Sequence, residues 1–549
     1  MKVRYLKDKE KFIITESERH EYHQTKMLLT RKMKGFFFDP RFKAGIWDGD
    51  VTYFKDGSFD FGLYREVSEM CKQNGWKFVL ENKEDFPTNN KITLQDVQDF
   101  CDSFFKDRTL KDGKTPFIPK DYQITAAFQI LKNRYCLIEI GTGGGKSLVF
   151  AIVAFYLMHK VKPENLNKLK MLLLVPSISL VTQFYDDLIN YNKGFHNENL
   201  NPIDLRMCEM MSEKPRRDEG ECNIFIGTYA SVEKRDAEFF EQFKVVATDE
   251  CHSASHGKSS STEKKSGFKM IKKIIEQTRQ HAYFRFGMSG TYPRTDTLDW
   301  LSVVSLHGPL VSITEAQDLI KNNHIADVKI KAVMLNHNDP EFDQSLALIR
   351  RGNGKGAFDI EKRYIHESVA RLDFIVDKII TSSKKNALVL FNSIEYGTKI
   401  YNAIRDRVPG VDVYYIDGTV KKDKREMIKR KLEGSDLLEI INHLLDIKTR
   451  PRVLVASFGT LSTGVSINNL HIGVFAEGYK SEQIMIQSVG RFLRKHKDKD
   501  RAIIFDIIDI LDEKSSNKNS LLKHYHERKE FYNNRGYTLE EIKMNIKKR

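Results

Sequence analysis

Short, continuous apolar runs recur along the chain between about residue 122 and residue 510. Each run ends in small, polar or acidic residues, and an amphipathic stretch of helical length separates it from the next. Buried parallel strands connected by helices have this signature, so the pattern predicts two α/β lobes in tandem. The predicted strands are 134–140, 171–176, 223–228 and 244–250 in the first lobe, and 386–393, 411–418, 452–459 and 501–508 in the second.

The segments that flank these lobes follow other patterns. Residues 51–61 alternate apolar and polar side chains around an Asp-Gly pair, which predicts a β-hairpin, and residues 63–76 have helical spacing. Residues 106–121 mix charge, glycine and proline and predict a linker, so we expect the domain before it to be separable from the lobes. The predicted domains are a small N-terminal α+β domain (1–112), two α/β lobes (113–328 and 329–512) and a basic C-terminal helical tail (513–549).

Composition narrows the class of protein. Lys and Arg number 89 against 75 Asp and Glu, and this net charge of +14 favours nucleic acid or an anionic membrane surface as a partner. No run of 18 apolar residues occurs, and the first residues are charged, so the sequence predicts neither a membrane span nor a secretion signal. The six cysteines form no C-x-x-C pair, which is typical of reduced thiols in a cytoplasmic protein.

The glycine-rich stretch IEIGTGGGKS, residues 138–147, joins a predicted strand to a strongly apolar predicted helix over 146–160. Successive glycines allow backbone N–H groups to approach phosphate oxygens, and the helix N-terminus adds a positive field. Lys146 would neutralise the β- and γ-phosphates, and Ser147 would offer its hydroxyl to Mg²⁺. Taken alone, the stretch is also compatible with a flexible turn that binds nothing.

An acidic pair strengthens the nucleotide interpretation. The strand predicted at 244–250 ends in Asp249 and Glu250, at the edge of the sheet where α/β proteins bind ligands. Asp249 is placed to hold Mg²⁺, and Glu250 to orient and deprotonate an attacking water. His252 and His256 have zinc-ligand spacing, but no third ligand lies nearby in the sequence. We therefore predict binding and hydrolysis of ATP with Mg²⁺.

The string Asp-Glu-Cys-His at 249–252 is a variant of the DExH box, and the chain resembles superfamily 2 helicases. The other motifs of that family follow in order, at 121–127, 139–147, 176–183, 227–232, 289–291, 391–393, 456–467 and 487–494. The resemblance covers about residues 115–510 and implies two RecA-like domains. The chain departs from the family pattern at Ile140, Gly290 and Ser466. At the position of Ser466, other members often have an acid that contacts the ribose.

The resemblance implies roles for particular residues. Those implied to bind the nucleotide are Gln123, Gly141, Thr142, Gly143, Gly144, Gly145, Lys146, Ser147 and Gly464, with Ser147 and Asp249 holding Mg²⁺. Those implied to act in catalysis are Glu250, His252, Gln487, Arg491 and Arg494, and the two arginines would reach the γ-phosphate when the lobes close. Short polar side chains at strand ends would contact DNA phosphates: Ser177, Thr228, Asn392 and Thr460.

The N-terminal domain holds a second candidate for nucleic-acid binding. Four cations, Arg31, Lys32, Lys34 and Arg41, surround a Phe-Phe-Phe run at 36–38 and Trp47. Cations beside aromatic rings suit phosphate contact and base stacking. The alternative is that the phenylalanines are core residues and the cations a solvated rim.

The N-terminal domain and the tail resemble those of phage helicases that act in recombination. That resemblance implies an ATP-dependent, 3′-to-5′ DNA helicase or translocase that remodels forks, Holliday junctions and R-loops in recombination, repair and replication. The alternatives are a restriction-type double-stranded DNA translocase, an RNA helicase, and a nucleic-acid-binding scaffold with a non-catalytic nucleotide site. Expected partners are single-stranded, forked or four-way junction DNA, RNA–DNA hybrids, and single-stranded-DNA-binding or recombination proteins. We expect a monomer in the host cytoplasm, without a membrane partner.

Overall fold

The computed structural model describes residues 1–109, 116–141, 143–193, 203, 205–210, 222–253, 267–314, 316–322, 325–352, 356–383, 385–420, 422–433, 450–461, 469–479, 482–493, 499, 501–511 and 519–546. The chain forms two compact units, the first made of residues 1–141 and 145–315 and the second of 142–144 and 316–549. Within the described ranges, no helix is both long enough and apolar enough to cross a membrane.

The first unit begins with a small α+β domain, as predicted. Its strands are β1 (Lys2–Leu6), β2 (Lys11–Glu16), β3 (Thr30–Lys32), β4 (Asp50–Thr52), β5 (Phe54–Lys55), β6 (Ser58–Asp60) and β7 (Val79–Leu80), and its helices are α1 (Arg19–Leu28), α2 (Pro40–Lys43) and α3 (Tyr64–Gln73). Five strands form a sheet in the order β5-β6-β2-β1-β7, while β3 and β4 form a separate antiparallel pair. The predicted hairpin is confirmed, because β5 and β6 are antiparallel and both turn residues, Asp56 and Gly57, have positive φ angles.

The first α/β lobe completes this unit. Its elements are α4 (Leu94–Phe105), α5 (Asp121–Asn133), β8 (Tyr135–Ile140), α6 (Lys146–Lys160), β9 (Lys170–Val175), α7 (Ile178–Lys193), β10 (Met207–Met210), β11 (Ile224–Thr228), α8 (Tyr229–Val232), α9 (Ala237–Glu241), β12 (Phe243–Asp249), α10 (Gly267–Thr278), β13 (Phe284–Ser289), α11 (Leu298–His307) and β14 (Leu310–Thr314). The strands form a parallel sheet in the order β10-β11-β9-β12-β13-β8-β14. Side chains of β9 alternate between two apolar clusters. Leu172 and Leu174 belong to one cluster, and Leu173 and Val175 belong to the other, so both faces of the sheet are buried.

The N-terminal domain packs on one face of this sheet and shares an apolar core with it. An added Cβ atom at Gly62 would lie 1.8 Å from the carbonyl oxygen of Val304 in α11, so only glycine fits this contact. Helix α4 belongs to the cluster on the opposite face, together with α5 and α6. Apolar packing therefore continues across the boundary predicted at residue 112, and separability of the N-terminal domain stays a prediction to be tested.

The second unit is another parallel α/β lobe. Its elements are α12 (Ala316–Lys321), β15 (Asp327–Asn336), α13 (Pro340–Gly352), α14 (Ala357–Glu367), α15 (Val369–Asp373), α16 (Thr381–Ser383), β16 (Ala387–Phe391), α17 (Ile394–Arg407), β17 (Asp412–Ile416), α18 (Lys422–Glu433), β18 (Arg452–Ser457), α19 (Phe458–Leu461), β19 (Ile472–Phe475), α20 (Glu482–Gly490), β20 (Arg501–Ile510), α21 (Ser520–Asn534) and β21 (Thr538–Asn545). The strand order is β17-β18-β16-β19-β20-β15-β21. All eight strands predicted from the apolar runs of the two lobes are confirmed.

The C-terminal tail is part of the second lobe. Helix α21 is the predicted basic helix, and its Tyr525 and Phe531 are buried. Arg528, also buried, forms an ion pair with Asp506 of β20 at 2.9 Å, so this face of α21 docks against the lobe. Strand β21 pairs in parallel with β15 and was not predicted.

Candidate nucleotide and nucleic-acid sites

The glycine-rich loop joins β8 to α6, as the sequence predicts. Gly143 and Gly145 have φ angles of 86° and 82°, in the left-handed region where a side chain would be strained. A Cβ atom at Gly145 would also lie 2.4 Å from Nε2 of Gln123, the predicted adenine-reading residue on α5. The fold therefore brings Gln123 against the loop. Gly144 lies between these two glycines and Gly141 precedes them, while Thr142 lies outside the described residues.

Lys146, the first residue of α6, lies against the acidic pair at the end of β12. Its Nζ forms an ion pair with Glu250 and lies 3.3 Å from Oδ1 of Asp249. Burial opposes the charge on the lysine, but the two carboxylates outweigh it and raise the pKa of Lys146. Burial raises the pKa of Asp249 to about 6, although Lys146 partly offsets this effect. For Glu250, Lys146 and His252 together outweigh burial and lower the pKa, so Glu250 is ionised at neutral pH.

His252 connects the acidic pair to the Ser-Gly-Thr motif after β13. Its Nδ1 lies 2.7 Å from Oγ of Ser289 and 3.2 Å from Oε2 of Glu250. Because Ser289 donates its only hydroxyl proton to the carbonyl oxygen of Thr291, at 2.6 Å, the histidine is the donor in the contact with Ser289. Burial lowers the pKa of His252, although Glu250 opposes this shift, so the ring is neutral near pH 7. Two motifs separated by 37 residues thus form one hydrogen-bonded group.

Two tyrosines that the sequence analysis did not identify contact this site. The hydroxyl of buried Tyr229 donates to the carbonyl oxygen of Asp249 and lies 3.4 Å from that of Glu250. Glu250 has a positive φ angle of 49°, so this hydrogen bond helps to hold an unfavourable turn. The hydroxyl of Tyr191, on α7, lies 3.0 Å from Oγ of Ser147, the predicted Mg²⁺ ligand. Only Tyr229 had a signal in the sequence, since it lies inside the motif at 227–232.

The predicted DNA contacts of the first lobe lie at one edge of its sheet. Ser177 follows β9 and Thr228 ends β11, and these two strands are neighbours. The side chain of Thr228 is buried and caps α8, because its Oγ1 accepts a hydrogen bond from the backbone N–H of Ser231 at 3.2 Å. Ser177 is half-buried, with its Oγ 3.0 Å from that of Ser179.

A buried carboxylate organises the corresponding edge of the second lobe. Oε2 of Glu477, after β19, accepts hydrogen bonds from the backbone N–H groups of Asn392 and Ser393 at 2.7 and 2.8 Å, and Oε1 lies 2.8 Å from Nε2 of His366. Burial opposes ionisation of Glu477, but the hydrogen bond with His366 and those with the backbone outweigh it and lower the pKa. Thr460, in α19, is buried with its Oγ1 2.7 Å from Oγ of Ser457. Glu477 was not predicted from the sequence.

The predicted catalytic residues of the last motif are described only in part. Gln487 is half-buried in α20, and Arg491 is buried just after that helix. Arg494 and the predicted nucleotide ligand Gly464 lie outside the described residues. Among the residues that the structure describes, no group of three or more His, Cys, Asp or Glu side chains is arranged to hold a metal ion, and His256 is not among them.

Three of the four N-terminal cations contact acceptors within the protein. The guanidinium of Arg31 donates to the carbonyl oxygens of Met27, Leu28, Thr30 and Asp296 at 2.7–3.1 Å, which argues against a phosphate contact. Lys32 is 2.9 Å from Asp50, and Arg41 is 3.0 Å from Asp39. Lys34 is exposed. The fold places acceptors beside three of these cations, and the sequence could not reveal them.

Comparisons with known proteins agree with this geometry. The family model for the res subunit of type III restriction enzymes matches residues 116–294. The ATP-dependent DNA helicase uvsW of Enterobacteria phage T4 is 28% identical to this chain, and the similarity covers 93% of this chain and 91% of uvsW. The DNA 3′-5′ translocase XPB2 of Sulfurisphaera tokodaii is 23% identical, and the similarity covers 71% of this chain and 81% of XPB2. The DNA-bound Type ISP restriction-modification enzyme LlaBIII has the same fold, with a TM-score of 0.53 and 17% identity over 88% of this chain and 34% of its own.

The loop, the acidic pair and the two parallel α/β lobes have the arrangement of an ATP-dependent helicase of superfamily 2, of the DExH type, and the chain is an ATP-dependent enzyme similar to helicases of this class. Among helicases of this class, the uvsW DNA helicase of phage T4 is similar to the chain over nearly its whole length. The predicted class and the predicted pair of RecA-like lobes are confirmed.

Proposed function

We propose that this helicase unwinds or remodels branched DNA, including forks, Holliday junctions and R-loops, with 3′-to-5′ polarity, in phage recombination, repair and replication. The observation that carries the proposal is the extent of the similarity to the uvsW helicase. It spans 93% of the chain, whereas the restriction-enzyme family model matches only residues 116–294. The similarity to uvsW therefore extends beyond the segment that the family model covers. The XPB2 relative is named as a 3′-5′ DNA translocase, which supports the polarity.

The site residues fit a nucleotide with Mg²⁺. Hard oxygen ligands suit Mg²⁺, and the site offers the hydroxyl of Ser147 and the buried Oδ1 of Asp249, which lies 3.3 Å from Nζ of Lys146. Bound Mg²⁺ would neutralise developing charge on the phosphates. The ammonium of Lys146 would hold the β- and γ-phosphates, exchanging its contact with Glu250 for the nucleotide.

Glu250, released from Lys146, would orient the attacking water and accept its proton. Before the nucleotide binds, Lys146 and His252 outweigh burial and lower the pKa of Glu250, so its carboxylate is already in the base form at neutral pH. Neutral His252 contacts both Glu250 and Ser289, so a movement of Glu250 would also move the Ser-Gly-Thr motif. Gln487, Arg491 and Arg494 would stabilise transition-state charge, as arginines do in related motors.

DNA would follow the strand ends of each lobe. Short polar groups there can bind phosphates without reading bases, as a translocating enzyme requires. In the first lobe these are Ser177 and the α8 N-terminus at Thr228. In the second they are Thr460 and Asn392, whose backbone Glu477 positions.

Stimulated ATP hydrolysis tests the proposal. The wild-type chain and a Lys146→Ala control would be assayed with single-stranded DNA, a fork, a four-way junction, blunt duplex and RNA. We expect forks and junctions to stimulate hydrolysis most, and unwinding of duplexes with a 3′ tail but not with a 5′ tail. Equal stimulation by blunt duplex would instead indicate a restriction-type translocase, and stimulation by RNA alone would indicate an RNA helicase.

A further inference from the structure

An arm of the N-terminal domain exposes large apolar side chains. We call residues 30–52 the aromatic arm: strands β3 and β4 with the segment 33–49 between them. Phe37, Phe38 and Ile46 on this arm are 52%, 69% and 79% exposed. The rings of Phe37 and Phe38 lie 4.4 Å apart. Single exposed apolar side chains are ordinary, but three within ten residues indicate a binding surface.

The arm has a small core of its own that holds these rings outward. Phe36 packs edge-on against Phe42 at 4.8 Å, and a Cβ atom on Gly49 would lie 2.5 Å from the ring of Phe36. The guanidinium of Arg41 lies 4.7 Å from the ring centre of Trp47, and Trp47 donates its indole N–H to the backbone at Asp50. With Phe36, Phe42 and Trp47 used internally, the exposed rings are presented in a preorganised form.

The root of the arm is fixed to the first lobe. Arg31 bonds to three carbonyl oxygens of the arm and of α1, and also to that of Asp296, at 3.0 Å. Asp296 follows the Ser-Gly-Thr motif at 289–291, which contacts His252. The base of the arm is therefore attached to the lobe that carries the nucleotide site.

The arm contributes little free positive charge. Lys32 and Arg41 form ion pairs with Asp50 and Asp39. Lys34 and Lys43 are exposed, and neither side chain has an ion-pair partner among the described residues. For a single strand, each phosphate that a cation neutralises steepens the slope of log affinity against log salt concentration by about 0.7. Two lysines would therefore steepen this slope by at most about 1.4.

We propose that Phe37 and Phe38 stack on unpaired DNA bases, so that the aromatic arm binds single strands at branch points through their bases rather than their phosphates. This inference rests on the proposed function. Exposed rings next to two free lysines match the mixed chemistry of a single strand, whose bases offer π-faces and whose phosphates offer charge. Stacking contributes about 5- to 150-fold in affinity per base, which is enough to favour unpaired over paired DNA.

Binding measured over a range of salt concentrations tests the inference. Labelled single strands, forks and blunt duplex would be titrated at 50, 100 and 200 mM NaCl with wild type and with the Phe37→Ala/Phe38→Ala double variant. We expect at least tenfold weaker binding of single strands and forks at every salt concentration, with an unchanged salt slope and unchanged duplex binding. Quenching of 2-aminopurine in the single strand, which reports stacking, should also fall.

Matched variants distinguish stacking from charge attraction and from misfolding. Phe37→Tyr/Phe38→Tyr should restore binding, because it keeps both rings. Tyr283→Ala removes an aromatic ring that is 61% exposed elsewhere in the same unit and should change nothing. Lys34→Glu/Lys43→Glu should change the salt slope without abolishing the quenching. Thermal unfolding would confirm that each variant folds.

Three outcomes would overturn the inference: no loss of single-strand binding, equal loss on blunt duplex, or a loss that disappears at low salt. A change in sedimentation of the double variant without a change in DNA binding would identify a second copy of the chain as the occupant, and would also overturn it. Failure of the proposed function is distinguishable, because it would appear in the wild type as equal stimulation by blunt and branched DNA.

Discussion

A buried ion pair attaches the N-terminal domain to the first lobe, and it can be tested directly. Glu10, in the turn between β1 and β2, is 4% exposed, and its carboxylate lies 2.7 Å from the guanidinium of Arg285 on β13, which is 1% exposed. Arg279 approaches the same carboxylate at 3.4 Å. Glu10→Gln keeps the shape of the side chain and removes its charge. It would leave the charge of Arg285 buried beside the ring of Tyr135, 4.6 Å away.

Breaking a buried pair by neutralising one partner costs about 3–5 kcal/mol, because the other charge stays desolvated. At 1.4 kcal/mol per factor of ten, Glu10→Gln should lower the folding equilibrium constant of the first unit by about 10² to 10⁴. Adding Arg285→Met should recover much of this loss, since apolar replacement of both charges is often nearly neutral. Glu16→Gln is the control. Its pair with Lys2 is exposed, so little change is expected.

Urea unfolding followed by circular dichroism and tryptophan fluorescence measures these differences in the first transition. A Glu10→Gln variant no less stable than Glu16→Gln would refute the assigned role of the pair. A chain that begins at residue 111 provides a second check. We expect it to be insoluble or to lose the first-lobe transition, because the deletion removes α4 and the partner of Arg285. A soluble fragment with the wild-type transition would show that the domain is separable after all.

The other predictions concern chemistry, pH and positioning. Glu250→Gln should bind ATP normally while single-turnover hydrolysis falls about 10²- to 10⁴-fold, since only the base is lost; hydrolysis at the normal rate would exclude Glu250 as the base. Burial raises the pKa of Glu66, 3.2 Å from the indole nitrogen of Trp300, from 4.5 to about 7, so stability should decrease as pH rises through this range. The ionised carboxylate lowers the free energy of unfolding by at most about 3 kcal/mol, and Glu66→Gln should remove this loss, so that Tm rises at pH 8 but not at pH 5. An equal change in Tm at both pH values would contradict this. Tyr229→Phe should lower kcat for ATP about tenfold with KM unchanged, because its hydrogen bond sets the turn at Glu250; a change in KM alone would contradict that role.

The local part of the nucleotide site could be predicted from the sequence. Helix α6 begins at Lys146 and ends at Lys160, as the apolar pattern predicts, and β12 ends at Asp249. Lys146 and Ser147 are adjacent in the chain, and so are Asp249 and Glu250. A motif of neighbouring residues at a strand or helix end therefore keeps its geometry wherever the fold places it.

Only the tertiary structure decided which partners these residues meet. Arg31 has the same charge in the sequence as Lys34, yet the fold turns it toward carbonyl oxygens as distant along the chain as that of Asp296. Glu477 acquires its role because β16 and β19 are neighbours in the sheet, which places it beside the backbone of Asn392, 85 residues away. The apolar packing that continues across the boundary predicted at residue 112 has the same origin. Amino-acid composition shows where a segment rich in charge, glycine and proline interrupts an apolar pattern. Which side chains are buried depends on packing between segments that are distant along the chain.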